Sequence, residues 1–141
     1  MAEGGQIKVE KKIEEDFVMT YIVKEKRERL LYELFSKKKR LSAIGRFCHT
    51  AIEYIDERKI FYCGEKISHK ELLEFIDTAD DKCYIISWNS DIDGNWLNAE
   101  EALKKIIGYG MPSIAIFNDL VIIETEQELG AATKYVLRPN L

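Results

Sequence analysis

The segment that most constrains the fold is Cys83–Trp88, an apolar run of strand length that suits a central strand covered on both faces. Such a strand needs further strands beside it and a layer of structure above and below. Two more apolar runs, Ser113–Phe117 and Leu120–Ile123, flank Asn118 and Asp119, which form a credible two-residue hairpin turn. The sequence therefore predicts a sheet that has Cys83–Trp88 in its interior.

Shorter strands are predicted elsewhere. Ile60–Cys63 has strand character, and the turn that follows it would allow a short partner strand at Lys66 and Ile67. A further short strand is predicted at Gln6–Val9, near the N-terminus.

Helices are predicted before and between the strands. Apolar residues recur on one stripe from about Glu14 to Phe35, and a second helix follows from about Lys38 to Asp56. Two antiparallel helices or a single bent helix would both satisfy this half of the chain. Later in the chain, three segments have the pattern of a helix N-terminus: Ser68–Glu71, Asn98–Glu101 and Thr125–Glu128, the last opening a helix to about Val136.

The element order is then α-α-β(β)-α-β-α-β-β-α. It predicts an α/β (α+β) fold in which an N-terminal helical pair packs on a small mixed sheet of about 4–5 strands with flanking helices. A chain of 141 residues fits one domain. We therefore expect a single domain over residues 1–141, with residues 1–12 as a flexible N-terminus.

Cysteine usage and hydropathy indicate where such a protein works. Its three cysteines are an odd number without a close pair, which favours a reducing compartment where the thiols act as small core residues. The sequence contains no run of eighteen apolar residues, and its N-terminus lacks an apolar signal core. We expect a cytoplasmic protein with no membrane partner.

Charge is distributed unevenly along the chain. Residues 1–50 carry twelve Lys or Arg and eight Asp or Glu, whereas residues 51–141 carry nine and seventeen. If folding keeps these charges apart, the acidic part would attract a cationic protein partner, and salt would weaken the attraction. The alternative interpretation of the basic part, residues 24–46, is a solvated helical face with its own ion pairs.

The densest group of chemically capable side chains spans residues 89–100. Asn89, Asp91, Asp93 and Glu100 take positions 1, 3, 5 and 12 of a calcium-binding EF-hand loop, with Gly94 at position 6. The preceding segment is a predicted strand rather than a helix, and the chain has no second copy of the loop.

Residues 91–94 also resemble the first motif of haloacid dehalogenase-like phosphatases, in which Asp91 would be the nucleophile and Asp93 the general acid. That family places the nucleophile directly at the end of a strand, whereas Asn89 and Ser90 intervene here, so the family assignment is rejected.

A surface loop explains the same residues without a ligand. Gly94 makes the turn, Asn98 caps the next helix, and Glu100 suits the positive end of that helix. The loop would still leave polar and aromatic side chains exposed as a binding surface, which we place at Asp91, Asp93, Asn95, Trp96 and Glu100.

Other chemistries find little support. The pI of 5.3 and the glutamates within residues 24–46 argue against nucleic acid as a partner. The chain has no metal-ligand spacing of cysteines or histidines, no Gly-x-Ser-x-Gly elbow and no glycine-rich phosphate loop. We therefore name no catalytic residue and no cofactor, and expect a binding protein rather than an enzyme.

Two hypotheses of different class follow. The first is a small acidic protein-interaction module, of the inhibitor or immunity type, that binds a cationic macromolecule. The alternative is a divalent-metal or small-ligand site, or a catalytic one, centred on residues 89–100, with Asn89, Asp91, Asp93 and Glu100 as calcium ligands. A homo-oligomer formed through the N-terminal helices is a third option.

Overall fold

The computed structural model describes residues 9–76, 81–108, 111–125 and 132–140. In this part of the chain six strands form one sheet with the order β1-β6-β5-β4-β2-β3, and every neighbouring pair is antiparallel. The mixed α and β class is confirmed, but the sheet has six strands rather than 4–5 and is not mixed. The strands are β1 (Ile60–Gly64), β2 (Lys82–Ser87), β3 (Trp96–Asn98), β4 (Ser113–Ile116), β5 (Val121–Glu124) and β6 (Lys134–Leu137).

Helices cover both faces of the sheet. The described helices are α1 (Lys11–Tyr21), α2 (Lys24–Leu34), α3 (Arg40–His49), α4 (Ala51–Tyr54), α5 (His69–Glu74) and α6 (Ala99–Ile106), with a 3-10 turn at Glu57–Lys59. Helices α1–α4 pack on the face that carries Tyr84 and Ile86, whereas α5 and α6 pack on the face that carries Cys83 and Ile85. Strand β2 is therefore buried on both sides, as its apolar run predicts.

The segment predicted as an N-terminal helical pair contains four helices, α1–α4. The predicted helix from Glu14 to Phe35 is interrupted at Ile22 and Val23, because Ile22 forms a β-bridge with Ile55 and Val23 N–H donates to the Tyr54 carbonyl at 2.8 Å. Both interrupting residues are β-branched and suit an extended backbone. The predicted helix from Lys38 to Asp56 divides at Thr50 into α3 and α4.

The predicted C-terminal helix from Thr125 to Val136 is wrong for its described part. Lys134–Leu137 is strand β6, which lies between β1 and β5. The backbone N–H and the hydroxyl of Thr125 both donate to the carbonyl of Thr133, at 3.0 and 2.9 Å, so Thr125 continues the β5–β6 ladder instead of capping a helix. Residues 126–131 lie outside the described part. Because β6 is buried on both faces, periodicity could not distinguish it from a helix.

Three predictions that depend on local sequence signals are confirmed. The capping box at Ser68 and Glu71 opens α5, Asn98 caps α6, and Phe117 N–H donates to the Leu120 carbonyl across the β4–β5 turn, all as predicted. Lys66 and Ile67 form no strand, since Ile67 enters the core just before α5. Strand β3 is an addition that the sequence did not indicate.

Near the N-terminus, residues 1–8, which include most of the predicted strand at Gln6–Val9, lie outside the described part, and Lys11 already belongs to α1. No described helix has the length and apolar character needed to cross a membrane.

Candidate functional site

Residues 88–95, which we call the acidic loop, connect β2 to β3 as a wide hairpin. Asn89 accepts a hydrogen bond from Asp91 N–H at 3.0 Å, Asn95 donates to the Asp91 carbonyl at 3.0 Å, and Gly94 N–H donates to the Ile85 carbonyl at 2.7 Å. Gly94 has a φ of 80°, a conformation that glycine adopts without strain, as expected for the turn. The loop is therefore largely self-supporting.

Asp93 does not face solvent as a binding residue. Arg40 holds its carboxylate in a bidentate pair, with Nε to Oδ2 at 2.8 Å and Nη2 to Oδ1 at 2.9 Å, and Ser87 N–H adds a third bond at 3.0 Å. Bidentate arginine–carboxylate pairs of this kind are both short and directional. Asp93 thereby fastens the loop to the start of α3.

The same arginine reaches a second carboxylate. Arg40 donates to both oxygens of the fully buried Glu14 at 2.7 Å and to the Leu34 carbonyl at 2.9 Å, while Tyr84 donates to Glu14 at 2.7 Å. Burial alone would lower the pKa of Arg40, but the hydrogen bonds and charges of Asp93 and Glu14 outweigh it and raise that pKa, so the guanidinium stays charged. Burial and the neighbouring Glu14 also raise the pKa of Tyr84.

This network changes the interpretation of the charge pattern. Arg40 comes from the basic stretch and Asp93 from the acidic loop, so folding neutralises one against the other. Arg46 and Arg29 likewise bind the buried carboxylate of Glu33, at 2.6 and 3.2 Å. The basic stretch thus follows, in part, the alternative interpretation, a helical face with ion pairs.

The remaining predicted loop residues are exposed but are divided between the hairpin and α6. Asp91, Asn95 and Trp96 are exposed on the hairpin, and Glu100 is exposed in the first turn of α6. Within residues 9–76, 81–108, 111–125 and 132–140, no group of three or more His, Cys, Asp or Glu is arranged to hold a metal ion. Three of the four proposed calcium ligands, Asp91, Asp93 and Glu100, are of these types and therefore do not form such a group.

Trp96 instead borders a groove of about 350 Å³ that we call the Trp96 groove. It lies between α1, strand β3 and the β4–β5 turn, and the side chain of Trp96 is 48% exposed at its wall. The groove combines apolar and aromatic walls with a few polar groups: Ile13, Asp16, Phe17, Thr20, Tyr21, Lys82, Trp96, Ile116, Phe117, Asn118 and Pro139. A second cavity of about 280 Å³ continues it past Asn118 to Asp81 and Asp119.

Tyr21 is the polar group of the groove that stands out. Its side chain is 5% exposed, and its hydroxyl has no hydrogen-bond partner among the described residues. Burial, followed by the charge of Asp119, raises the pKa of Tyr21 to about 12, so the hydroxyl remains a proton donor at neutral pH. A buried hydroxyl without a partner is unfavourable, and a bound group that accepts its hydrogen would remove that cost.

A second polar feature crosses the opposite end of the sheet. Ser87, Ser113, Glu124 and Lys134 are register partners on β2, β4, β5 and β6, and all four are buried on the face that packs against α6. Glu124 accepts the N–H of Gly108 at 2.9 Å, and Lys134 lies 4.0 Å from Glu124.

We call these four residues the polar row. Sequence reasoning did not find it, although the row has a signal in hindsight, since each member sits at one end of an apolar strand.

Comparison of the chain with known protein families, with curated proteins and with solved structures gives no match, so the candidate sites rest on their own geometry.

Proposed function

We propose that this protein is an interaction module that binds a protein partner in the Trp96 groove. The observation that carries the proposal is the conjunction of an exposed tryptophan with a buried, unpartnered tyrosine hydroxyl in one concave surface. Tryptophan and tyrosine are the side chains that most often anchor protein interfaces, because they bury large areas and retain one polar atom for a directed bond.

Charge on the rim favours a cationic segment in the partner. Asp16 and Asp119 flank the groove and its continuation, and both are exposed. Among the described residues Asp16 pairs only with Lys12, and this exposed pair at 3.1 Å could be displaced by a stronger cation. Lys82 also lines the groove and would repel a partner that presents basic residues throughout. The best complement is therefore an apolar or aromatic side chain next to one or two Lys or Arg residues.

An inhibitory, immunity-type role is our hypothesis within this class, because a cationic active surface seated on the groove would be blocked. We place the interaction in the cytoplasm, where Cys48, Cys63 and Cys83 would stay reduced; none of the three forms a disulfide here.

Selection of binding peptides from a random library provides a direct test. We expect the enriched peptides to carry Lys or Arg beside an aromatic or aliphatic residue, and their binding to weaken with salt. Binding should fall at least about tenfold in Trp96→Ala, as expected for the loss of an aromatic anchor, and more modestly in Asp119→Asn.

Trp88 offers a matched control, because it is 45% exposed and contacts α3 near Gly45, away from the groove. Trp88→Ala should leave peptide binding unchanged. If the enriched peptides lack basic residues, or if they bind Trp96→Ala as well as the parent protein, the proposal is wrong.

A further inference from the structure

The hydroxyl groups of Ser87 and Ser113 have one hydrogen more than the described residues accept. Their Oγ atoms lie 2.8 Å apart, and Ser87 Oγ also accepts the N–H of Asn89 at 3.0 Å. Whichever serine donates to the other, one hydroxyl hydrogen has no acceptor among the described residues. Both residues are at most 2% exposed.

A cavity of about 330 Å³ opens beside this pair and indicates where the hydrogen points. Ser113 lines the cavity and Ser87 does not. If Ser87 donates to Ser113, the hydrogen of Ser113 is available to a molecule in the cavity, whereas the reverse arrangement leaves the hydrogen of Ser87 with nothing to bind. The other lining residues are Asn89, Asp91, Ile92, Lys105 and Met111. We call this space the serine cavity.

From this arrangement we infer that the serine cavity binds a small zwitterion, namely a free amino acid with an apolar side chain. Three hydrogen-bond donors at the cavity suit a carboxylate: the Ser113 hydroxyl, the side-chain amide of Asn89 and the Lys105 ammonium. Asp91 supplies the negative charge that an ammonium group requires, and Ile92 and Met111 form an apolar wall.

The composition of the walls selects against other ligands. Asp91 would repel a phosphate or a dicarboxylate, while a purely apolar molecule would leave the Ser113 hydroxyl unsatisfied. The volume lies at the lower end of the range for ligand pockets, about 300–1,000 Å³, which limits the occupant to a small molecule. The Lys105 ammonium is available because its pair with Glu101, at 3.4 Å, is exposed on α6.

Among the residues that the structure describes, the serine cavity and the Trp96 groove share no lining residue, so the two proposals can succeed or fail separately. Calorimetry with L-leucine on the full chain tests this one, with N-acetyl-L-leucine and L-leucinamide as analogues that lack the ammonium and the carboxylate charge. We expect L-leucine to bind at micromolar to millimolar concentrations, and each analogue to bind at least about tenfold more weakly, since a charged hydrogen bond is worth about that factor.

Two variants locate the binding. Ser113→Ala and Asp91→Asn should each weaken L-leucine binding by at least about tenfold, whereas Asp119→Asn, in the cavity that extends the Trp96 groove, should bind normally. Asp91 is exposed, so its variant remains informative even if Ser113→Ala folds poorly. The inference is overturned if neither L-leucine nor L-methionine or L-valine binds at millimolar concentration, if the analogues bind equally well, or if Asp91→Asn binds like the parent protein.

Discussion

Arg40 offers the sharpest test of how this fold is held together, because one guanidinium satisfies two carboxylates. Arg40→Met keeps most of the side-chain volume but removes both the charge and the hydrogen-bond donors. Of the described donors, the variant leaves the fully buried Glu14 with only the Tyr84 hydroxyl, and leaves Asp93 with the N–H of Ser87. Removing one partner of a buried ion pair typically costs about 3–5 kcal/mol, and we expect a loss in that range.

Such a loss is large relative to the stability of a single domain, which is about 5–15 kcal/mol. Urea unfolding followed by far-UV circular dichroism measures it directly. Arg58→Met is the matched control: Arg58 also holds a carboxylate, that of Asp56 at 2.8 Å, but its side chain is 84% exposed. Exposed pairs contribute about 0–1 kcal/mol, so this control should lose no more than that.

A double-mutant cycle separates the pair from the packing around it. Glu14→Gln removes the buried charge while it keeps the shape of the side chain and an acceptor for Tyr84. If the cost of Arg40→Met arises from an uncompensated carboxylate, adding Glu14→Gln should recover stability, with a coupling energy of about 1–3 kcal/mol. Strictly additive losses, or a loss in Arg40→Met no greater than in Arg58→Met, would show that the network is not the stabilising element described above.

Three further predictions concern other parts of the molecule. Burial would raise the pKa of Glu33, but the bonds from Arg46 and Arg29 outweigh it, so that this pKa lies below its ordinary value of 4.5. The stability that the shift provides is present above pH 4.5 and is lost as the pH falls through the folded-state pKa. Glu33→Gln should therefore show a shallower decrease in the free energy of unfolding on the acid side. Gly94→Ala should destabilise the protein by about 1–2 kcal/mol, because its φ of 80° is unfavourable for other residues. Gly45→Ala, in α3, would place the new methyl group 3.6 Å from Nε1 of Trp88, an ordinary van der Waals distance, and should be neutral or stabilising in the same urea assay. Titration with calcium to millimolar concentration should leave tryptophan fluorescence unchanged, because Arg40 occupies both oxygens of Asp93; a saturable change that Asp91→Asn abolishes would restore the calcium hypothesis.

The sequence predicted those elements whose signals are local. The capping box at Ser68, the cap at Asn98 and the hairpin turn after Phe117 depend on residues within a few positions of one another, and all three occur as expected. The failures have long-range causes. The break at Ile22 depends on its bridge to Ile55, and the conversion of residues 134–137 to a strand depends on the neighbours β1 and β5.

The same distinction applies to the candidate sites. Asp93 and Arg40 are 53 positions apart, and no local pattern indicates that one neutralises the other. Trp96 is exposed, as the sequence led us to expect, but the sequence could not indicate that Tyr21 on α1 lines the same groove. Net charge by segment was a poor guide because a folded chain pairs charges according to contact and not according to order.

The polar row shows why partnering is more informative than composition. Four buried polar side chains in one row across a sheet are expensive unless each finds a partner. Each of them does: Glu124 accepts the N–H of Gly108, Lys134 donates to the Glu65 carbonyl at 3.1 Å, and the hydroxyls of Ser87 and Ser113 share a hydrogen bond at 2.8 Å. One of the two serine hydroxyl hydrogens still has no acceptor among the described residues, and Ser113 lies where the row meets the serine cavity. The bond to Ser87 gives Ser113 a structural role, but packing alone leaves the extra hydrogen without an acceptor, whereas a ligand in the serine cavity would supply one.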